Sequence, residues 1–151
     1  MVDEIRYTNK ADTMEVVSQN GYRLASASEA LRADRDIVIA AVKKDGYALK
    51  CVSDDFKRDR EIVLTAVKSD GEALEYASEA LRADKDVVMA AVKENGWALQ
   101  YVSADLRADP EVVMEAVESR GWALEYASEA LKADKEIVMA AVKQDGIALE
   151  Y

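Results

Sequence analysis

The sequence predicts an all-α fold, an α-solenoid in which 25-residue two-helix repeats stack into a superhelix. Three observations lead there. The chain's six glycines, Gly21, Gly46, Gly71, Gly96, Gly121 and Gly146, recur every 25 residues, and self-similarity at a fixed period marks a repeat architecture. Around each glycine one phrase returns, as in Gly96-Trp97-Ala98-Leu99-Gln100-Tyr101-Val102-Ser103. Between the glycines the apolar residues are spaced by three and four, the period of a helix and not of a strand.

Residues 1–20 read as a degenerate N-terminal cap repeat. Asn9 fills the slot that Asp34, Asp59, Asp84, Asp109 and Asp134 occupy later, and terminal repeats are atypical because one face meets water. Five full repeats follow over 21–145, and 146–151 read as a truncated sixth, the whole forming one solenoid domain. With helices packed ~8–10 Å apart the stack is expected to be elongated, roughly 50 Å long.

The first helix of each repeat starts at the aspartate. In Asp84-Lys85-Asp86-Val87-Val88 the carboxylate of Asp84 can accept from the free amides of the first turn. Asp36, Glu61, Asp86, Glu111 and Glu136 suit the positive end of the helix dipole, and Lys43, Lys68, Lys93 and Lys143 suit the negative end. Pro110, the only proline, directly follows Asp109, where proline is tolerated best. Glycine is expected to end this helix in the left-handed C′ conformation, with the next residue packing back, for example Trp97 on Val92. The second helix is expected from about Trp97 to Arg107, either as one helix or as a short helix plus a 3₁₀ turn. Ser28, Ser53, Ser78, Ser103 and Ser128 are expected to cap, and Ser128-Glu129-Ala130-Leu131 suits a separate short turn. Leu24, Leu49, Leu74, Leu99 and Leu124, the row Leu31, Phe56, Leu81, Leu106 and Leu131, and pairs such as Val87-Val88 and Ala91-Val92 make up the expected core.

The repeat phrase Gly-x-Ala-Leu-x-Tyr-Ala-Ser-x-x-Leu-Arg-x-Asp-x-Glu-Val-Val-x-x-Ala-Val-Lys-x-Asp resembles the repeat of domain-of-unknown-function family 4116. Residues 71–145 match closely, 21–70 with substitutions and 1–20 weakly. More distantly the phrase is similar to leucine-rich-variant repeats. The resemblance implies a tandem helical array and carries neither catalytic residues nor a substrate. It also makes delivery into a host cell as an effector compatible with the sequence.

Composition narrows the function classes. Of 151 residues, 50% are hydrophobic and 33% are charged, as in folded domains that bury a core. No apolar run approaches the ~20 residues that span a bilayer, and Met1–Arg6 lacks the apolar stretch of a secretory signal. With the lone Cys51, which suits a reducing compartment, this sets the expectation of a cytoplasmic protein without a membrane partner. The net charge of −10 argues against nucleic acid, whose binders cluster Lys and Arg. Residues 21–45 and 46–70 sum to +1 and 0, whereas 71–95, 96–120 and 121–145 sum to −3, −3 and −2. The acidic half keeps the surface solvated and would also steer a basic protein or peptide.

Chemistry-bearing constellations are missing from the sequence. It has no histidine, one cysteine and only isolated glycines, so no catalytic residue, metal site or cofactor site is assigned. Asp34 and its equivalents are explained by capping, and Cys51 fills a tyrosine slot as a small apolar residue. The remaining candidate is an aromatic ladder in the acidic half. Trp97 and Tyr101 are four apart on the expected helix, as are Trp122 and Tyr126, and Gln100 and Glu125 vary beside them. These six residues are the candidate partner-binding surface of a non-enzymatic helical-repeat scaffold that binds a protein or peptide. The alternative is a structural spacer, or a module that self-associates end to end through Ile147–Tyr151.

Overall fold

The computed structural model describes residues 7–145. Within them the secondary structure is helical, no strand forms, and one isolated β-bridge joins Tyr7 to Ala27. Ten-residue helices run over Lys10–Gln19, Arg35–Lys44, Arg60–Ser69, Lys85–Glu94, Pro110–Ser119 and Lys135–Gln144. Each packs against the next along the chain. This is the all-α solenoid that the period predicts. Glycine 146 and the partial sixth repeat lie outside the described residues.

The long helices start as expected. Asp34, Asp59 and Asp134 each accept the amides two and three residues on, and Asp84 accepts from Val87. Asp109 does the same for Glu111 and Val112 with Pro110 in the first turn. Each accepted bond satisfies an amide that the helix leaves unpaired. In the first helix Asn9 accepts from Asp12, so the degenerate repeat keeps the capping function without the charge.

The second half of each repeat is split in two near the serine, as the second expected form has it, but the first piece is itself a 3₁₀ helix. A six-residue 3₁₀ helix comes first, over Gly21–Ser26, Gly46–Cys51, Gly71–Tyr76, Gly96–Tyr101 and Gly121–Tyr126. A single turn follows, for instance Glu79–Arg82 or Leu106–Ala108. No continuous helix runs from Trp97 to Arg107. Before four of the five described glycines an Asx residue supports the turn: Asn20, Asp45, Asp70 and Asn95 accept the amide two residues on, at Tyr22, Tyr47, Glu72 and Trp97. Gly121–Tyr126 winds the same way behind Arg120 without that bond, so the Asx cap reinforces the 3₁₀ helix and is not required for it.

The five described glycines do not adopt the left-handed conformation. No described residue has a positive φ, and the helices end on an extended Asx or Arg residue such as Asn95 or Arg120. Steric room is what requires glycine. A Cβ built on Gly96 would sit far inside contact distance of the Ala116 carbonyl oxygen, and 3.1 Å from the amide of Arg120 at the end of the next long helix. At Gly46 the same clash falls on Ala66 O, at 2.5 Å. Backbone therefore packs directly on backbone at each junction, which only glycine permits. The Gly96 amide also donates to Ser119 Oγ at 3.1 Å, and that of Gly121 to Asp145 Oδ2 at 2.9 Å.

The serines stand where expected but do not cap with their hydroxyls. Ser78, Ser103 and Ser128 precede a single turn without a side-chain cap bond, and their Oγ atoms are buried without a hydrogen-bond partner. Their amides act instead. Ser78 donates to Lys57 O, Ser103 to Arg82 O and Ser128 to Arg107 O, at 2.9, 3.0 and 2.9 Å. These bonds tie each single turn to the one 21 residues earlier.

The core forms one continuous apolar cluster through the stack. Leu24, Leu49, Leu74 and Leu99 are fully buried, as are Val87, Val88, Ala91 and Val92. In the second row Leu31, Leu81 and Leu131 are buried, while Phe56 and Leu106 are half-buried. Thr13 is the one buried polar residue among those described; it replaces a valine and donates its hydroxyl to Asn9 O at 2.6 Å.

Candidate partner-binding surface

The row of 3₁₀ helices carries the aromatic residues. Three residues complete a 3₁₀ turn, so Trp97 and Tyr101, four apart, diverge instead of sharing a face. The rings pair across the junction. Trp97 meets Tyr126 with centroids 6.0 Å apart at 63°, and Tyr47 meets Tyr76 at 6.0 Å and 62°. Both are edge-to-face contacts, the favoured arrangement of ring quadrupoles.

The pairing rule is a ring at one position and a second ring 29 residues on. It explains the exceptions. Tyr22 has Cys51 at the partner position and stays 49% exposed. Tyr101 faces the slot of Glu72, whose carboxylate accepts instead from Asn95 Nδ2 at 2.9 Å and from the Tyr47 hydroxyl at 3.4 Å. Cys51 is half-buried, as expected for a small residue in a tyrosine slot.

All four aromatic residues of the candidate surface are half-buried; Gln100 is half-buried and Glu125 exposed. Gln100 donates through Nε2 to Trp97 O at 3.1 Å, which holds it against the turn. Trp97 and Tyr126 are brought together. Tyr101 lines a different feature, a cleft shared with Glu79, Arg82, Val102 and Ser103. A matching cleft two junctions nearer the N-terminus is lined by Glu29, Arg32, Cys51, Val52 and Ser53. Their volumes, 240 and 190 Å³, suit a single side chain; small-molecule sites run to about 300–1,000 Å³.

Arg82 and Ser103 were not legible as site residues, although in the full repeats the serine recurs every 25 residues and the Arg82 slot always holds Arg or Lys. The Nε atoms of Arg32, Arg82 and Arg107 are buried without a hydrogen-bond partner, like the serine hydroxyls. The row also carries a cation against a ring, with Lys50 Nζ 5.8 Å from the centroid of Tyr76.

The electrostatics keep the phenols protonated. Burial first, then the neighbouring Glu72 and Asp70 carboxylates, push the Tyr47 hydroxyl up to about 12. Burial and the Glu75 carboxylate do the same at Tyr76, also to about 12, and burial beside Glu75 and Glu72 raises Tyr101. The hydroxyls therefore remain available as donors at neutral pH. Asp70 is raised by burial, with Glu94 and Asp45 adding to the shift and the Glu72 amide opposing it.

At the starts of the long helices, four of the five successive pairs are linked by charge. Lys10 reaches Asp34 and Asp36, Arg35 reaches Asp59 and Glu61, Arg60 reaches Asp84 and Asp86, and Lys85 reaches Asp109 and Glu111. The Asp-basic-acid triplet at each helix start was readable as a dipole pattern; its reach into the next repeat was not. Among the described residues no group of three or more Cys, Asp or Glu side chains is placed to hold a metal ion, and no helix is long and apolar enough to cross a membrane.

Stacked long helices, an Asx-capped 3₁₀ row and bonds confined to neighbouring repeats define a helical-repeat scaffold. The family described as a domain of unknown function, DUF4116, matches in three tandem blocks, residues 13–57, 59–107 and 109–151, and the chain belongs to that family. Neither the search of curated proteins nor the search of solved structures returned a match.

Proposed function

We propose that this chain is a non-enzymatic scaffold that binds a protein or peptide along its 3₁₀ row. The single observation behind the reading is the Tyr101 cleft. It joins the half-buried Tyr101 ring with Glu79, Arg82, Val102 and Ser103 in a space sized for one side chain, and a counterpart occurs at another junction. Recurring clefts beside variable positions such as Lys50, Glu75, Gln100 and Glu125 suit an extended segment. Constant features would hold its backbone and the variable ones would select its side chains. Half-buried aromatic residues beside arginine are also the commonest energetic anchors of interfaces.

Panning a displayed random-peptide library against the full chain tests this. Enriched peptides should lose binding to Tyr101→Ser and to the Trp97→Ala/Trp122→Ala double variant, while circular dichroism shows each variant still folded. A fold-preserving variant that binds as well as the parent would sink the assignment, as would a library without enrichment.

A further inference from the structure

We propose that the outer face of Lys135–Gln144 is a docking surface for the long helix of another repeat of this consensus, one that begins Asp-x-Asp or Asp-x-Glu. The face is apolar and open, lined by Val138, Met139, Ala140, Val142 and the stem of Lys143. Met139 is 62% exposed, whereas Ile39, Leu64, Met89 and Met114 at the same slot are half-buried. Val138 and Val142 are half-buried, whereas Val88, Val92, Val113 and Val117 are fully buried. Each interior helix is covered on this side by the next one. The exposed strip continues an interface already formed along the stack.

Charge identifies the occupant. Lys135 stands in the slot from which Lys10, Arg35, Arg60 and Lys85 each grip two carboxylates. It pairs with no carboxylate among the described residues. A helix that seats on this face and satisfies Lys135 must bring an aspartate at its cap and a second acid two residues on. The interior repeats have both, followed by the apolar pair and by the alanine whose carbonyl meets the preceding glycine.

A second copy of this chain does not offer that surface. Its first helix carries Asn9 and Ala11 in the two acidic slots, and Val16 where the other repeats have alanine. Asn9 is neutral, and its amide already pairs with Asp12. Seated against it, Lys135 would lose hydration without gaining a carboxylate, which is unfavourable. The outer faces of the first and last described helices are therefore unlike: the first lacks the two acids, while the last keeps the basic and apolar residues of an interior junction.

The test appends a copy of residues 77–126 after Tyr151 in the full chain, which continues the register. Peroxide oxidation of Met139, followed by mass spectrometry against Met14 as internal reference, reports the face. Oxidation of Met139 should slow several-fold towards the rate of half-buried Met14, and the thermal midpoint should rise. With Asp84→Asn and Asp86→Ala in the appended copy, the protection should weaken; equal protection would overturn the charge-based assignment. Unchanged reactivity of Met139 in the extended chain would overturn the docking surface itself. The parent chain should sediment as a monomer at all concentrations. Assembly that rises with concentration and shields Met139 would give the face to a second copy, and the proposal would fail.

Discussion

At the first four junctions a basic residue at the start of one long helix reaches two carboxylates of the next, whereas at the fifth Pro110 has nothing to offer Asp134 and Glu136. The difference shows in exposure: Asp34, Asp59, Asp84 and Asp109 are half-buried, and Asp134 is exposed. The fifth junction also lacks the Asx cap, since Arg120 replaces it and donates through Nε to Asn95 Oδ1 at 3.2 Å. Yet Pro110–Ser119 packs on Lys135–Gln144 as the other pairs do, and Gly121 still lies against the Ala141 carbonyl. Shape alone is enough to keep the register. The glycine–alanine approach and the buried valines are common to every described junction, while charge is added at four and omitted at one. Exposed ion pairs contribute little to stability in general, which agrees with a stack that tolerates the omission.

The largest effect should come from filling the space that all junctions share. Gly96→Ala and Gly121→Ala should each destabilise by about 1–3 kcal/mol, because the added Cβ meets a backbone carbonyl that cannot rotate away. Urea unfolding of both variants checks it. Similar losses would confirm that packing dominates at clamped and unclamped junctions alike; a negligible loss at Gly96 would refute the steric role of glycine.

A smaller contrast separates the cap from the clamp. Asp134→Ala removes a cap alone and should cost about 1 kcal/mol. Asp84→Ala removes a cap and also the acceptor of Arg60, so it should cost more. The excess should shrink at high salt. Equal costs at low salt would show that the clamp adds nothing.

The smallest effect is a gain. Pro110→Lys should install the missing clamp to Asp134 and Glu136, raising the unfolding midpoint slightly in low salt. It should also alter the response to acid. At the clamped junctions the basic partner, first of all, holds Asp34, Asp59, Asp84 and Asp109 below the usual carboxylate range. A carboxylate whose folded pKa is depressed stabilises fully above its unfolded value of about 3.9. That contribution is lost as pH falls through the folded value. Pro110→Lys should therefore lose more stability than the parent as the pH falls below about 4. Identical acid titrations would mean that no clamp had formed.

How much of this was readable depended on where the cause lay. Helix starts were legible because the cap, the dipole and Pro110 all act within one turn. Core rows were legible because burial follows the helical period. The role of glycine was not: Asp-Gly at a helix end suggests a left-handed stop, and only the placement of Ala116 against Gly96 shows steric room to be the cause. The hydroxyls of Ser78, Ser103 and Ser128 misled for the same reason, since the serine amides act across a junction. At the candidate surface the rings were grouped by an α-helical turn, whereas the segment winds as a 3₁₀ helix. Trp97 thus meets Tyr126, and Tyr101 lines a cleft with Arg82.

The contacts that define a junction join residues 20 to 29 positions apart: Gly96 with Ala116, Ser103 with Arg82, Arg60 with Asp84, Trp97 with Tyr126. No loop longer than about one repeat has to close for the stack to form. Loop-closure entropy grows with the logarithm of loop length, so the cost per junction is fixed by the period and does not increase with the number of repeats. Folding can begin at any well-packed neighbouring pair and spread both ways. Its rate should reflect the best local pair, as expected for low contact order.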